Sequence, residues 1–269
     1  MRDAPVGVFD SGVGGLTVLK ALAAELPREH FVYLGDTARL PYGTKSPETV
    51  ARYAVQAAGA LLEYGVKCLV IACNTASSVG LPAIRQHIGG TPVVGVIEPG
   101  AAAACAASRS GHIAVIATEG TVRGGAYQEA ILRLRGRARV VAQPAQLFVA
   151  LAEEGLNEGP IAESVARHYL HPLFRAEPAP DTLVLGCTHF PMLAGAIRTA
   201  VGSGVRIVDS AATTARSVRE LLDRANLARR EGEGTARFLA TDSAERFARI
   251  GSRFLERPIN PEEVELVDL

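Results

Sequence analysis

Short, fully apolar runs alternate along this chain with longer stretches in which apolar residues recur every three or four positions. The runs predict strands over Val6–Phe9, Phe31–Leu34, Cys68–Ala72, Val93–Ile97, Ile113–Ala117, Arg139–Ala142, Thr182–Gly186 and Arg206–Val208. After the first of them, GGLTVLKALAAEL sets Leu16, Leu19, Leu22 and Leu26 on one face of a helix, which Pro27 closes. Two further helical segments, Thr213–Ala225 and Asp242–Phe254, follow the last strand. This is the rhythm of βα units, and it predicts an α/β fold with mostly parallel sheets.

Polar residues capable of chemistry fall just after the strands: Asp10, Asp36, Cys73, Glu98, Thr118, Cys187 and Asp209. Ligands of open parallel sheets bind outside the carboxyl ends of the strands, so one edge should collect these side chains. The chain also repeats itself weakly. VGVFDSGVGG resembles IAVIATEGT, LVIACNTA resembles LVLGCTHF, and VVGVIEPGAAAA resembles RIVDSAATTA, in the same order. Asp10 to Cys73 spans 63 residues and Thr118 to Cys187 spans 69, while Cys73 to Glu98 spans 25 and Cys187 to Asp209 spans 22. Three matched segments at matched spacings predict two pseudo-symmetric α/β lobes with the site in the cleft between them. The last helical segments are expected to return to the first lobe, which would comprise residues 1–97 plus 210–269, with 98–209 as the second lobe.

Composition removes several functions. The 28 basic and 28 acidic residues leave a formal net charge of zero, so nothing points to nucleic acid or an anionic membrane surface. No apolar run reaches the roughly 20 residues that cross a bilayer, and MRDAPVGVFD holds no signal-peptide apolar region. A cytoplasmic location is expected. In that reducing compartment the four cysteines are expected to be free, catalytic or metal-bound rather than paired as structural disulfides. Only three lysines occur, Lys20, Lys45 and Lys67, against 25 arginines. None lies in a setting suited to a Schiff base, so pyridoxal phosphate is not expected.

Two of the cysteines share a context. Cys73 in ACNTA and Cys187 in GCTHF each end an apolar strand and precede a polar pair. Related by a pseudo-twofold axis, they would face each other across the cleft. A thiolate on one face of a substrate removes a proton from carbon, a thiol on the other face returns one, and a stereocentre inverts. A strand end leading into a helix favours the thiolate. His189, two residues beyond Cys187, can exchange its proton, and Asp10 can serve Cys73. Cys68 and Cys105, in apolar or Ala-rich surroundings, are read as packing residues. A zinc site from Cys73, Cys187 and His189 is chemically conceivable, but no CxxC or HxxxH spacing supports it, and a Cys73–Cys187 redox disulfide is equally unsupported. DSGVGG lacks the spacing of a phosphate loop and starts on an acid; its glycines suit close backbone approach to a small ligand. Ser11, Asn74, Thr75, Thr118, Thr121 and Thr188 supply neutral donors for carboxylates. LPYGTKS reads as a loop over this edge with Tyr42 and Gly43 at its tip.

At these residues the chain resembles the glutamate racemases, within the cofactor-independent aspartate/glutamate racemase superfamily. The likeness covers nearly the whole chain and rests on FDSGVGGLTVL (9–19), GDTARLPYGTKS (35–46), ACNTASS (72–78), VIEPGA (96–101), GTVRGGAYQ (120–128), GCTHFP (186–191) and TDSAERFARIGSRFL (241–255). The resemblance implies a two-lobed fold with glutamate bound between the lobes, L/D inversion without cofactor or metal, supply of D-glutamate for peptidoglycan precursors, and a homodimer. It implies that Cys73 and Cys187 are the proton donor/acceptors, assisted by Asp10 and His189. It places Asp10, Ser11, Tyr42, Gly43, Asn74, Thr75, Thr188 and His189 on the substrate, with Asp36 and Glu153 in support. AQLFVALAEEG departs from the family's usual CPLFVPLVEEG at Ala145, Gln146 and Ala150, which leaves the chain path before Glu153 open. Aspartate or hydantoin racemisation is the competing activity. A racemase-like binding protein without catalysis, such as an inhibitor of DNA gyrase, is the competing class.

Overall fold

A computed structural model describes residues 2–269. Strands run over Val6–Asp10 (β1), Phe31–Gly35 (β2), Cys68–Ile71 (β3), Val93–Gly95 (β4), His112–Ala117 (β5), Arg139–Pro144 (β6), Thr182–Gly186 (β7), Arg206–Asp209 (β8), Ala236–Ala240 (β9) and Val264–Leu266 (β10). Helices of the first half are Leu16–Glu25 (α1), Pro47–Glu63 (α2), Asn74–Val79 (α3), Leu81–His87 (α4), Ile97–Ala107 (α5) and Glu119–Gly124 (α6). Those of the second half are Ala126–Leu134 (α7), Leu147–Glu154 (α8), Gly159–Phe174 (α9), Ala194–Val201 (α10), Ser210–Arg224 (α11) and Ala244–Leu255 (α12).

Two wholly parallel sheets result, one ordered β10-β9-β2-β1-β3-β4 and the other β6-β5-β7-β8. The order 2-1-3-4 recurs as 6-5-7-8, each strand displaced by four. The three sequence repeats are therefore β1 with β5, β3 with β7, and β4 with β8. Strands β1, β2, β3, β5 and β7 are buried along their whole length, which is why they read as unbroken apolar runs.

All eight expected strands form, and their differences at the ends have local causes. β4 stops at Gly95 because the Val96 N–H turns to the Ser77 hydroxyl at 3.3 Å and α5 begins at once. α11 starts earlier than the apolar spacing suggests, because Asp209 caps it by accepting from the Ala211 N–H at 2.9 Å. In α1, Leu16, Leu19 and Leu22 are buried as predicted, while Leu26 sits beyond the last turn. β9 and β10 were not expected. β9 opens with exposed Ala236 and Arg237 and β10 has three residues, so neither carries an apolar run, yet β9 pairs with β2 from Phe31↔Ala236 to Gly35↔Ala240.

Candidate active site

The cleft between the two sheets is lined by residues that follow the carboxyl ends of six strands. Ser11 and Gly12 follow β1, Tyr42 and Gly43 follow β2, and Cys73, Asn74 and Thr75 follow β3. From the other sheet come Thr118 after β5, Gln146, Val149 and Glu153 after β6, and Cys187, Thr188 and His189 after β7. Cys73 and Cys187 thus stand at equivalent positions of the two repeats and line one cleft. All four cysteines are free. Among the described residues no cluster of three His, Cys, Asp or Glu side chains is arranged to hold a metal ion.

Cys73 is the N-cap of α3, and its Sγ accepts the Ala76 N–H at 3.4 Å and lies 3.5 Å from Ser11 Oγ. Burial first, then the nearby charge of Asp10, pushes this thiol up to about 12. Asp10 does not line the cleft. It is wholly buried behind the Ser11–Gly12 turn, where Oδ2 accepts the Gly12 N–H at 3.0 Å and Oδ1 has no partner. Burial raises its pKa, and the charge of His189 partly offsets that.

Cys187 has a different neighbour. His189 Nδ1 lies 3.8 Å from its Sγ, and His189 Nε2 lies 3.2 Å from Glu153 Oε1. Arg246 of α12 donates to the other oxygen of Glu153 at 2.8 Å. The His189 ring meets the Phe254 ring edge-on at 5.2 Å. Burial opposes charge on His189, but its contacts with Cys187 and Glu153 outweigh burial and hold its pKa at about 10. Glu153 is held below its usual range despite burial, because His189 and Arg246 favour its charge. Imidazolium and carboxylate thus form a relay behind Cys187 that has no counterpart behind Cys73.

The remaining expected residues divide into cleft wall and support. Tyr42 and Gly43 are buried in a 3-10 turn and do not form an exposed tip, because the turn packs against the other sheet: a Cβ at Gly43 would lie 2.7 Å from Thr118 Cβ. The Tyr42 hydroxyl donates to Asp36, whose carboxylate also takes Arg39 Nε at 2.7 Å and the Thr241 hydroxyl at 3.0 Å. Tyr42 therefore presents backbone to the cleft, and Asp36 holds the turn. Thr75, Thr118 and Thr121 form a ring of hydroxyls at 2.9, 2.9 and 3.1 Å that joins the two sheets. Thr121 stands behind the wall in that ring. Glu98 lies elsewhere, exposed and paired with Arg133, and Asp209 is occupied as the α11 cap. Of the lysines, Lys20 pairs with Glu256 and Lys67 with Glu29, and none lines the cleft.

The unusual AQLF segment keeps the chain on course. The Ala145 N–H bonds to the Ala117 carbonyl at 2.8 Å, and α8 then aims Gln146, Val149 and Glu153 at the cleft from one helical face. Sequence reasoning did not find Val149, Gly12 or Arg246 as parts of the site. Only the i, i+3, i+7 spacing of 146, 149 and 153 could have signalled the α8 face. Gly14 is also required: a Cβ there would lie 2.4 Å from Thr188 Oγ1 and 2.5 Å from the His189 ring.

A family model described as Asp/Glu/Hydantoin racemase matches residues 8–218. The chain is 51% identical over 251 residues to the glutamate racemase of Geobacter metallireducens, covering 93% of this chain and 92% of that one. The crystal structure of glutamate racemase from Francisella tularensis in complex with D-glutamate superposes with a TM-score of 0.92 at 34% identity, covering 100% of this chain and 98% of that one. Glutamate racemase from Thermus thermophilus, in complex with β-chloro-D-alanine, matches with a TM-score of 0.87 at 45% identity, covering 100% and 98%.

Proposed function

Because this chain belongs to the Asp/Glu/Hydantoin racemase family of isomerases, we propose that it interconverts L- and D-glutamate by proton transfer between the substrate α-carbon and two facing sulfurs. The observation that carries this is the pairing of Cys73 and Cys187, free cysteines at equivalent positions of two repeated sheets, on the walls of one cleft.

Cys73, whose pKa is pushed to about 12, starts as a thiol and is the proton donor of its face. Cys187, beside the charged His189, takes the α-proton on the other face. The Cα–H electron pair stays on carbon as the bond to hydrogen breaks, and forms the new C–H bond with the Cys73 proton. The reverse reaction exchanges the roles. His189 with Glu153, and Asp10, restore the protons. Ser11, Asn74, Thr75, Thr118 and Thr188, with the backbone at Tyr42 and Gly43, hold the two carboxylates, which are stabilised by neutral donors and do not need a fixed cation. Asp36 and Thr121 act one layer behind.

Residues 1–97 with 210–269 and residues 98–209 form the two lobes; support comes from the shared strand order and from β9 and β10 joining the first sheet. Among the described residues no helix is long and apolar enough to cross a membrane. We take the enzyme to be cytoplasmic and homodimeric and to supply D-glutamate for peptidoglycan. Glutamate is preferred over aspartate because the relatives reported above carry that name at up to 51% identity. The test is optical: purified protein without added cofactor should abolish the circular dichroism of L-glutamate and leave that of L-aspartate. Loss of the aspartate signal alone would move the assignment to the competing activity.

A further inference from the structure

The residue after Cys73 has an orientation that its own sheet does not impose. Asn74 is buried and lines the cleft. Its Oδ1 accepts a hydrogen bond at 2.8 Å from the hydroxyl of Tyr127, which comes from α7 on the far side of the cleft. Its Nδ2 is buried and has no partner. An amide whose carbonyl is taken from behind has only its NH₂ left to offer, and a buried donor without an acceptor is costly until a ligand supplies one.

The socket of Tyr127 is built to hold its hydroxyl there. The ring is buried in a space kept open by two glycines: a Cβ at Gly100 would lie 3.1 Å from the hydroxyl, and one at Gly186 would lie 3.0 Å from the ring edge. The Tyr127 hydroxyl donates to Asn74, so the polarity runs from Tyr127 to Asn74 to the cleft. Direction matters, because reversing it would turn the Asn74 carbonyl towards a carboxylate and repel it.

We infer that Tyr127 is a positioning residue that fixes the Asn74 amide with its NH₂ aimed at a substrate carboxylate. The inference rests on the proposed glutamate reaction for the identity of the carboxylate. A reciprocal contact crosses the other way, from the Thr17 hydroxyl of α1 to the carbonyl of Thr188 at 3.1 Å. Each cysteine is therefore followed by a residue that the opposite sheet's layer holds in place.

Tyr127→Phe keeps the ring in its socket and removes only the hydroxyl. KM for both enantiomers and the calorimetric Kd for D-glutamate should rise about tenfold, with kcat within about threefold and the unfolding midpoint little changed. In an Asn74→Ala background the same substitution should add nothing, since the two act through one hydrogen bond. An unchanged KM and Kd in Tyr127→Phe, or losses that multiply in the double variant, would overturn the assignment while leaving glutamate racemisation standing. Wild-type protein that neither binds nor inverts glutamate would remove both.

Discussion

The two cysteine neighbourhoods occupy equivalent places in the two sheets but are furnished differently. Cys73 sits at a helix start with Ser11 beside it and an acid, Asp10, buried behind a turn. Cys187 faces a histidine that is itself held by Glu153 and Arg246. One thiol is kept protonated by burial and a neighbouring negative charge, and the other lies next to an imidazolium. Topological symmetry therefore puts two free cysteines on one cleft, while asymmetric surroundings hold Cys73 as a thiol and set an imidazolium beside Cys187.

The largest test removes either sulfur. Cys73→Ser and Cys187→Ser should each lower kcat by about 10²–10⁴-fold, the range that a positioned proton-transfer group supplies, with glutamate binding largely kept by calorimetry. Normal turnover in either variant would remove that residue from the pair.

Next is the histidine on one side only. His189→Asn should cost about 10²-fold in kcat. L- and D-glutamate are mirror images of equal free energy, so kcat/KM must stay equal in the two directions for every variant. The asymmetry can appear only in kcat and KM taken separately, and unequal kcat losses in the two directions are expected. The same residue affects stability. Its pKa is raised from 6.5 to about 10 on folding, so the stabilisation is complete below pH 6.5 and is lost as pH rises through 10. Between pH 6.5 and 9 the stability of the wild type should fall more steeply than that of His189→Asn, by up to about 1.4 kcal/mol per pH unit in chemical denaturation.

Gly14→Ala probes how closely the Cys187 loop nests on the first sheet's turn. The added methyl meets Thr188 and His189, and overpacking of this kind costs about 1–3 kcal/mol. A loss of about tenfold in kcat/KM is expected, with far-ultraviolet circular dichroism unchanged. The smallest effect belongs to Arg246→Ala. Arg246 is half exposed, and losing its bond to Glu153 should change kcat by about two- to threefold, less at high salt.

Much of this molecule was legible in its sequence, for physical reasons. Strands buried on both faces leave unbroken apolar runs, so β1, β2, β3, β5 and β7 stood out, and the repeat spacing brought β4 and β8 with them. β10 is a three-residue edge strand and β9, beside it, opens on two exposed residues, so neither leaves such a signature. The reactive residues could be placed because a parallel sheet puts them at strand ends. Contacts across the cleft left no local trace. The Tyr42 turn against Thr118, Tyr127 on Asn74 and Arg246 on Glu153 join residues 53 to 93 positions apart, or bring backbone rather than side chain to the site. Asp10 was placed correctly at the end of β1, but the cleft wall is formed by the Ser11–Gly12 turn in front of it.

The most direct measurement is the fate of the α-hydrogen when L-glutamate turns over in deuterium oxide. Two facing sulfurs predict that newly formed D-glutamate carries deuterium at the α-carbon from the first turnover, while the remaining L-glutamate stays unlabelled at early times. Equal labelling of both enantiomers from the outset, or inversion with the original hydrogen retained, would contradict a proton taken by one sulfur and returned by the other.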